Sequence, residues 1–257
     1  MKRILVGMSG GVDSAVSVLL LQEQGYEVGG ATMLLQPCGF AEAEDAERSA
    51  MTLGICFYCF DWQAEFRRQV IEPFETVYRQ GGTPNPCIFC NKTLKFGKFL
   101  EKALELGYDG VATGHYARVR EEQGRYLLYT AKDRAKDQTY MLYHLTQQQL
   151  AHVVFPMGDY TKEEARAKAG LAGLPVASKR DSQDICFIPD GDYLAFLKAD
   201  GVVPRLGRLI GPKGGGSGAP QGPGGLYPGP APGPGGGLRR TDLCGGKTGR
   251  RRPAGTQ

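Results

Sequence analysis

Two sets of residues in this sequence have the types and spacing to do chemistry. The first is Ser9-Gly10-Gly11-Val12-Asp13-Ser14, reached from Gly7 and Met8. Paired glycines let a turn take positive φ and bring its backbone close to a ligand. Amides in such a turn face an anion, and the N-terminus of a following helix adds partial positive charge. Ser9 and Ser14 supply hydroxyl donors. Asp13, a carboxylate beside a phosphate nest, makes sense if a divalent metal lies between the two. Val12-Asp13 stands where a Walker A loop requires Lys-Ser or Lys-Thr, and the glycine spacing does not match the dinucleotide fingerprint.

The second set is thiols. Cys87-Ile88-Phe89-Cys90 closes the turn Thr83-Pro84-Asn85-Pro86 and opens a helix at Asn91. A thiolate at a helix start is stabilised by the helix dipole, and Lys92 and Lys95 push the same way, so a lowered thiol pKa is expected. Taken alone, a Cys-x-x-Cys pair reads as a redox disulfide, half a metal site or a coincidence. Cys56 and Cys59 fall in an apolar strand pattern whose alternation puts them on opposite faces, and they read as core residues. Cys186, in Asp181-Ser182-Gln183-Asp184-Ile185-Cys186-Phe187, reads by itself as a buried cysteine.

These residues need a scaffold, and the surrounding pattern supplies one. Lys2 to Met8 reads as a buried parallel strand and Ala15 to Leu21 as a helix packed on a sheet. Strands follow near 27–35, 55–60 and 109–113, separated by helices near 42–53, 62–80 and 91–106, with a hairpin at 119–130. Strands alternating with helices predict an α/β fold, a doubly wound parallel sheet with its ligand at the carboxyl ends of the strands. Residues 1–140 form the expected nucleotide-binding domain and 141–210 a small helical region carrying Cys186. Residues 211–257 are dominated by glycine and proline without helical or strand periodicity, and disorder is expected there.

Bulk properties narrow the class. At 257 residues and 41% hydrophobic content the chain can bury a core. The formal charge of +4 is misleading, because residues 211–257 hold seven of the basic residues and one Asp; residues 1–210 carry 24 basic against 26 acidic, a net of −2. Overall charge is therefore no argument for nucleic-acid binding. No run is long enough to span a bilayer. The chain enters a strand without a leader, and its seven cysteines are an odd number, so a cytoplasmic protein without membrane association is expected.

In order along the chain, Ser9-Gly10-Gly11-Val12-Asp13-Ser14, Asn85-Pro86-Cys87-x-x-Cys90-Asn91-Lys92, Thr113-Gly114-His115-Tyr116, Lys136-Asp137-Gln138-Thr139-Tyr140 and Asp181 to Phe187 resemble the bacterial tRNA-specific 2-thiouridylase family over about residues 1–210. The first of these is similar to the pyrophosphatase loop of enzymes that split ATP between its α and β phosphates. The resemblance implies an adenine-nucleotide alpha-hydrolase-like fold and an enzyme, a tRNA-uridine 2-sulfurtransferase. ATP, with Mg2+, would bind Gly7, Met8, Ser9, Gly10, Gly11, Val12, Asp13 and Ser14, with Met33 and Gly114 lining the adenosine site. The 2-oxygen of the wobble uracil would be adenylated. Cys186, carrying a persulfide from a sulfur-relay protein or cysteine desulfurase, would deliver sulfur, and Cys90 would act as the second thiol, through a disulfide with Cys186. Asn85, Pro86, Cys87, His115, Lys136, Asp137 and Gln138 match tRNA-contacting positions. Lys92, Lys95, Lys98 and Lys102 form a stripe that could track phosphates or simply face solvent.

Two departures from the family pattern bear on this. Some members carry Asp at the position of Cys87, which leaves the uridine base unassigned; Cys87, Cys90 and Cys186 could instead ligate an iron–sulfur cluster. The match also fades near Gly207-Arg208-Leu209-Ile210, as though the chain were truncated or frame-changed, so ATP binding is expected to survive with thiolation weak or absent. The alternatives are another ATP-pyrophosphatase synthetase of amidotransferase type, or a non-catalytic nucleotide-binding remnant.

Overall fold

A computed structural model describes residues 2–37, 39–179 and 185–202. The Asp181–Asp184 part of the last motif and the tail at 211–257 lie outside the described residues. By contacts the chain divides into two compact units, residues 1–73 with 85–187, and residues 74–84 with 188–257.

The first unit holds the sheet. Strand β1 (Arg3–Gly7) leads into helix α1 (Val12–Glu23), then β2 (Glu27–Leu34), α2 (Phe40–Thr52) and β3 (Phe57–Asp61). A helical run follows as α3 (Gln63–Phe66), a π-helical segment Arg67–Ile71 and α4 (Glu72–Arg79), most of which belongs to the second unit. Then come α5 (Pro86–Cys90), a second π segment Asn91–Lys98, α6 (Phe99–Glu105), β4 (Gly110–Thr113) and the hairpin β5 (Ala117–Glu122) and β6 (Arg125–Thr130). Helix α7 (Gln147–Leu150), β7 (Val153–Val154), α8 (Lys162–Leu171) and α9 (Tyr193–Ala199) complete the order.

The parallel sheet runs β3-β2-β1-β4-β7. Alternation along β1 explains its two faces. Ile4 and Val6 pack with Val16, Leu20, Ala46 and Ala165 from α1, α2 and α8, while Leu5 packs with Phe96, Phe99, Leu100 and Trp62 on the other side. Both faces are covered, as a doubly wound sheet requires. The chain winds outward from β1 to β2 and β3, then returns to β4 on the other side, so the strand order reverses between β1 and β4. Open α/β sheets bind ligands at such a switch point.

Of the small region expected at 141–210 to pack against the sheet, residues 141–187 lie in the unit of the sheet. The two residues of β7 pair with Val111 and Ala112 of β4, and α8 packs on α1. In the second unit Phe74 stacks edge-on against Tyr78 and Phe196, and Asp192 caps α9 by accepting from the Ala195 amide at 2.8 Å.

Cys56 and Cys59 are exposed, which corrects their reading as core residues. β3 is the edge strand and Cys56 precedes it, so neither lies in a covered position. Among the described residues no helix is long and apolar enough to cross a membrane.

Candidate functional site

The glycine loop joins β1 to α1 at the switch point. Gly11 stands at the N-cap of helix α1 and offers no side-chain cap, leaving the first amides to another acceptor. The loop is folded on itself. The Ser9 amide donates to Ser14 Oγ at 3.2 Å, and Ser14 Oγ donates to the Gly11 carbonyl at 3.0 Å. Gly114 follows β4 and lies against the same turn; a Cβ there would sit 2.9 Å from the Ser14 nitrogen. Met33 lies near the carboxyl end of β2, on the other side of β1. The residues expected to hold a nucleotide thus meet at the carboxyl edge of three adjacent strands.

Asp13 is not waiting for a metal alone. Its carboxylate accepts from Lys162 Nζ at 2.7 and 2.8 Å and from Tyr116 Oη at 2.9 Å. Sequence reasoning assigned no role to Lys162 or Tyr116. One signal for Lys162 was present: Thr161 and Glu164 form a capping box, which makes Lys162 the first residue of a helix, where the dipole opposes a cation.

The thiols form a second cluster. Asn85 caps α5 by accepting from the Cys87 amide at 3.1 Å, and Pro86 fills the first helical position. Cys87 is half-buried and Cys90, one turn further, is buried. Helix α5 packs on the π segment Arg67–Ile71. Phe187 stacks edge-on against Phe66, just before that segment, with ring centroids 5.7 Å apart. The same helical run therefore supports both Cys90 and the chain around Cys186. The Cys186 thiol is pushed up to about 12 by desolvation, then by the neighbouring Cys90 and Cys87, with Lys95 opposing. The residue nevertheless keeps an exposed face.

The expected lowering of the thiol pKa is corrected. Burial pushes the Cys90 thiol up, and Lys95 offsets only part of that. Cys90 lies a full turn inside the helix, where desolvation outweighs the dipole. Both thiols are protonated at neutral pH in this state. Alkylation of Cys186 followed by mass spectrometry should therefore accelerate roughly tenfold per pH unit from about pH 7 to pH 10. A rate that levels off below about pH 9 would contradict the packing around it.

Other sequence-assigned positions are placed differently. His115 is 8% exposed, packed between the rings of Phe96 and Phe155, with Nδ1 2.7 Å from Thr113 Oγ1. Burial holds its imidazole well below the usual histidine range, so in this conformation it offers an RNA neither a surface nor a charge. Asp137 accepts from the Ala131 and Thr139 amides. Gln138 exchanges two bonds with the Tyr116 backbone. Asp137 thereby fastens its loop to the end of β6 and Gln138 fastens it to the chain after β4, and Lys136 beside them is exposed. The lysine stripe is interrupted: Lys98 pairs with Glu65 and lies over Trp62, and Lys102 pairs with Glu105. π-helical geometry over Asn91–Lys98 also changes the angular spacing on which the stripe depended. Among the described residues no three Cys, His, Asp or Glu side chains converge as metal ligands.

Residues 2–190 match the family described as tRNA methyl transferase HUP domain. The chain is 45% identical over 230 residues to tRNA-specific 2-thiouridylase MnmA of Clostridium acetobutylicum, covering 82% of this chain and 65% of that relative. It is 51% identical over 211 residues to MnmA 1 of Caldanaerobacter subterraneus, covering 76% and 58%, and 47% identical over 231 residues to the enzyme of Chloroflexus aggregans, covering 82% and 64%. The chain thus spans about three-fifths of the length of these curated relatives. With its phosphate-type loop at the switch point of a doubly wound sheet, and with a match running from residue 2 to residue 190, this chain belongs to the tRNA methyl transferase HUP-domain family.

Proposed function

We propose that this chain carries the nucleotide site and the thiol pair of an enzyme that replaces the 2-oxygen of the wobble uridine of tRNA by sulfur at the expense of ATP. The observation that carries the reading is that α5, which bears Cys90, and Phe187, the neighbour of Cys186, both pack on the one helical run around residues 66–71. Both belong to the same unit as the phosphate-type loop.

The loop from Gly7 to Ser14 would bind the phosphates, with Met33 and Gly114 flanking the adenosine. Asp13, the one carboxylate of the loop, is partly exposed and would hold Mg2+, whose charge would ease departure of pyrophosphate. The uracil O2 attacks the α-phosphorus, the bond to the β-phosphate oxygen breaks, pyrophosphate leaves, and the ring loses its N3 proton. Adenylation makes that oxygen a good leaving group. Cys186 would carry a persulfide loaded by a sulfur-donor protein. Cys90, as thiolate, attacks the inner sulfur of that persulfide and forms a disulfide with Cys186. The released hydrosulfide adds to C2 and AMP departs. An external dithiol then reduces the disulfide. No step passes through an iron–sulfur cluster. Asn85, Pro86, Cys87 and Lys136 would meet the RNA, whose target base must leave its stack to be reached. Such a protein would work in the cytoplasm, where tRNA and ATP are found.

Unmodified tRNA, ATP and sulfide incubated with the chain should yield a low level of 2-thiouridine by nucleoside mass spectrometry, since the chain spans only about three-fifths of the relatives it matches. Cys90→Ser and Cys186→Ser, loaded with a persulfide donor in place of sulfide, should each lower the yield about a hundredfold or more. Yields unaffected by both substitutions would mean that sulfur reaches the base without the paired thiols, whereas a native chain that cleaves ATP but forms no 2-thiouridine would favour another ATP-splitting synthetase.

A further inference from the structure

The pairing of Asp13 with Lys162 joins residues 149 apart in the chain, at the mouth of the loop. It is a costly place for an ammonium group. The Lys162 side chain is 9% exposed, and it sits at the N-terminus of α8, where the helix dipole repels it. A buried ion pair is weak evidence for stability, because desolvation offsets most of its attraction. Its position gives a better account. The carboxylate it holds lies in the first turn of α1, beside uncapped amides and beside two serines that bond to each other at 3.4 Å. These loop contacts are ones that a phosphate and its cation could replace.

We propose that Lys162 is a nucleotide-binding residue that exchanges partners: it pairs with Asp13 in the free chain, and turns to the phosphates of ATP when Asp13 turns to the accompanying magnesium ion. The inference rests on the reading of the loop as an ATP site. A lysine stem is long enough to move its Nζ by a few ångströms about the fixed start of α8. Thr161 and Glu164 hold that start in place through their reciprocal cap, at 3.2 and 2.7 Å. Tyr116 Oη keeps a hydrogen bond on Asp13 during the exchange, so the carboxylate is never left bare.

Direct binding of ATP, pyrophosphate and adenosine, each with magnesium, tests this by calorimetry on the full chain. In Lys162→Met, affinity for ATP and for pyrophosphate should fall by roughly ten- to a hundredfold, and affinity for adenosine by less than about twofold. Lys162→Arg should retain most of the affinity for ATP. Lys168→Met is the control: it removes a lysine–carboxylate pair, with Glu23 at 2.9 Å, from the same helix but away from the loop, and should leave all three affinities unchanged. If Lys162 only fastened Asp13, Lys162→Met would free the carboxylate, and ATP would bind equally well or more tightly; that result overturns the inference. Should Lys162→Met fail to give a cooperative melt, Lys162→Gln and Lys162→Arg carry the test, with loss expected in the first and retention in the second. A native chain that binds no ATP overturns the reading of the loop itself, a different outcome from a Lys162 variant that binds as the native chain does.

Discussion

Gly10→Ala should abolish most nucleotide binding, with ATP affinity down by about a hundredfold or more. Two costs add at this position. Gly10 has φ +67°, which an alanine adopts at about 1–2 kcal/mol. A Cβ there would also lie 2.3 Å from the Glu42 carbonyl oxygen and 3.1 Å from Asp45 Cβ. The obstacle is backbone in α2, which cannot swing aside as a side-chain tip can. Either α2 retreats or the loop opens, and overpacking of this kind costs about 1–3 kcal/mol. Opening the loop moves the Gly11 and Ser14 backbone that would face the phosphates. Gly25→Ala separates the two costs. Gly25 has φ +82° with no atom within 4 Å of its added Cβ, and it lies beyond the opposite end of α1. Its replacement should lower the melting temperature by a few degrees, at about 1–2 kcal/mol, and leave ATP affinity alone. Equal ATP affinities in the Gly10→Ala and native chains would mean that the loop does not hold phosphate in the conformation seen here.

Why one part of this site could be read from sequence and another could not follows from how local each signal is. The Ser9–Ser14 loop was legible because glycines, serines and a helix start act within a few residues of one another. The sheet was legible because β1, β2 and β4 are buried on both faces and read as apolar runs. β7 was not, since two valines at 153 and 154 make too short a signal and pair only because β4 offers a free edge. The helices at 62–80 and 91–106 were expected as regular α-helices, yet each contains a π segment. Apolar spacing does not distinguish the two closely enough, and this is why the two readings of the lysine stripe stayed open. Burial was the other blind spot. His115 and Cys90 took their roles from the family resemblance, which says nothing of burial; Phe96, Phe155 and the Arg67–Ile71 segment decide their environment. The capping box at Thr161 and Glu164 marked Lys162 as a helix start, but its partner could not be read, being fixed by α8 packing on α1.

Phe99→Ala should cost about 3–5 kcal/mol of stability, the range for deleting a fully buried aromatic ring. Phe99 is the first residue of α6 and has no exposed surface. Its ring packs in the cluster with Leu5, Ala31 and Val111 of the sheet, 6.5 Å from Phe60, and its edge lies where a Cβ on Gly7 would come within 3.4 Å. It therefore docks the helical run that begins at Pro86 and carries Cys90 onto the strand that ends at the phosphate-type loop. Little can collapse into the space it leaves, because the neighbours on one side are backbone of β1 and β4. The loss should appear as a lower denaturant midpoint with an unchanged slope. Leu171→Ala, at a side chain 91% exposed, should change stability by less than about 0.5 kcal/mol. The Phe99 substitution should have a second effect that a purely global loss does not require. Undocking α6 releases the π segment and α5, so alkylation of Cys90 should accelerate at least about tenfold under conditions where the chain stays folded. If Cys90 reacted no faster in the folded Phe99→Ala chain, the helix that carries it would be held by the Arg67–Ile71 contact alone, and the coupling between the thiol and the sheet would be absent.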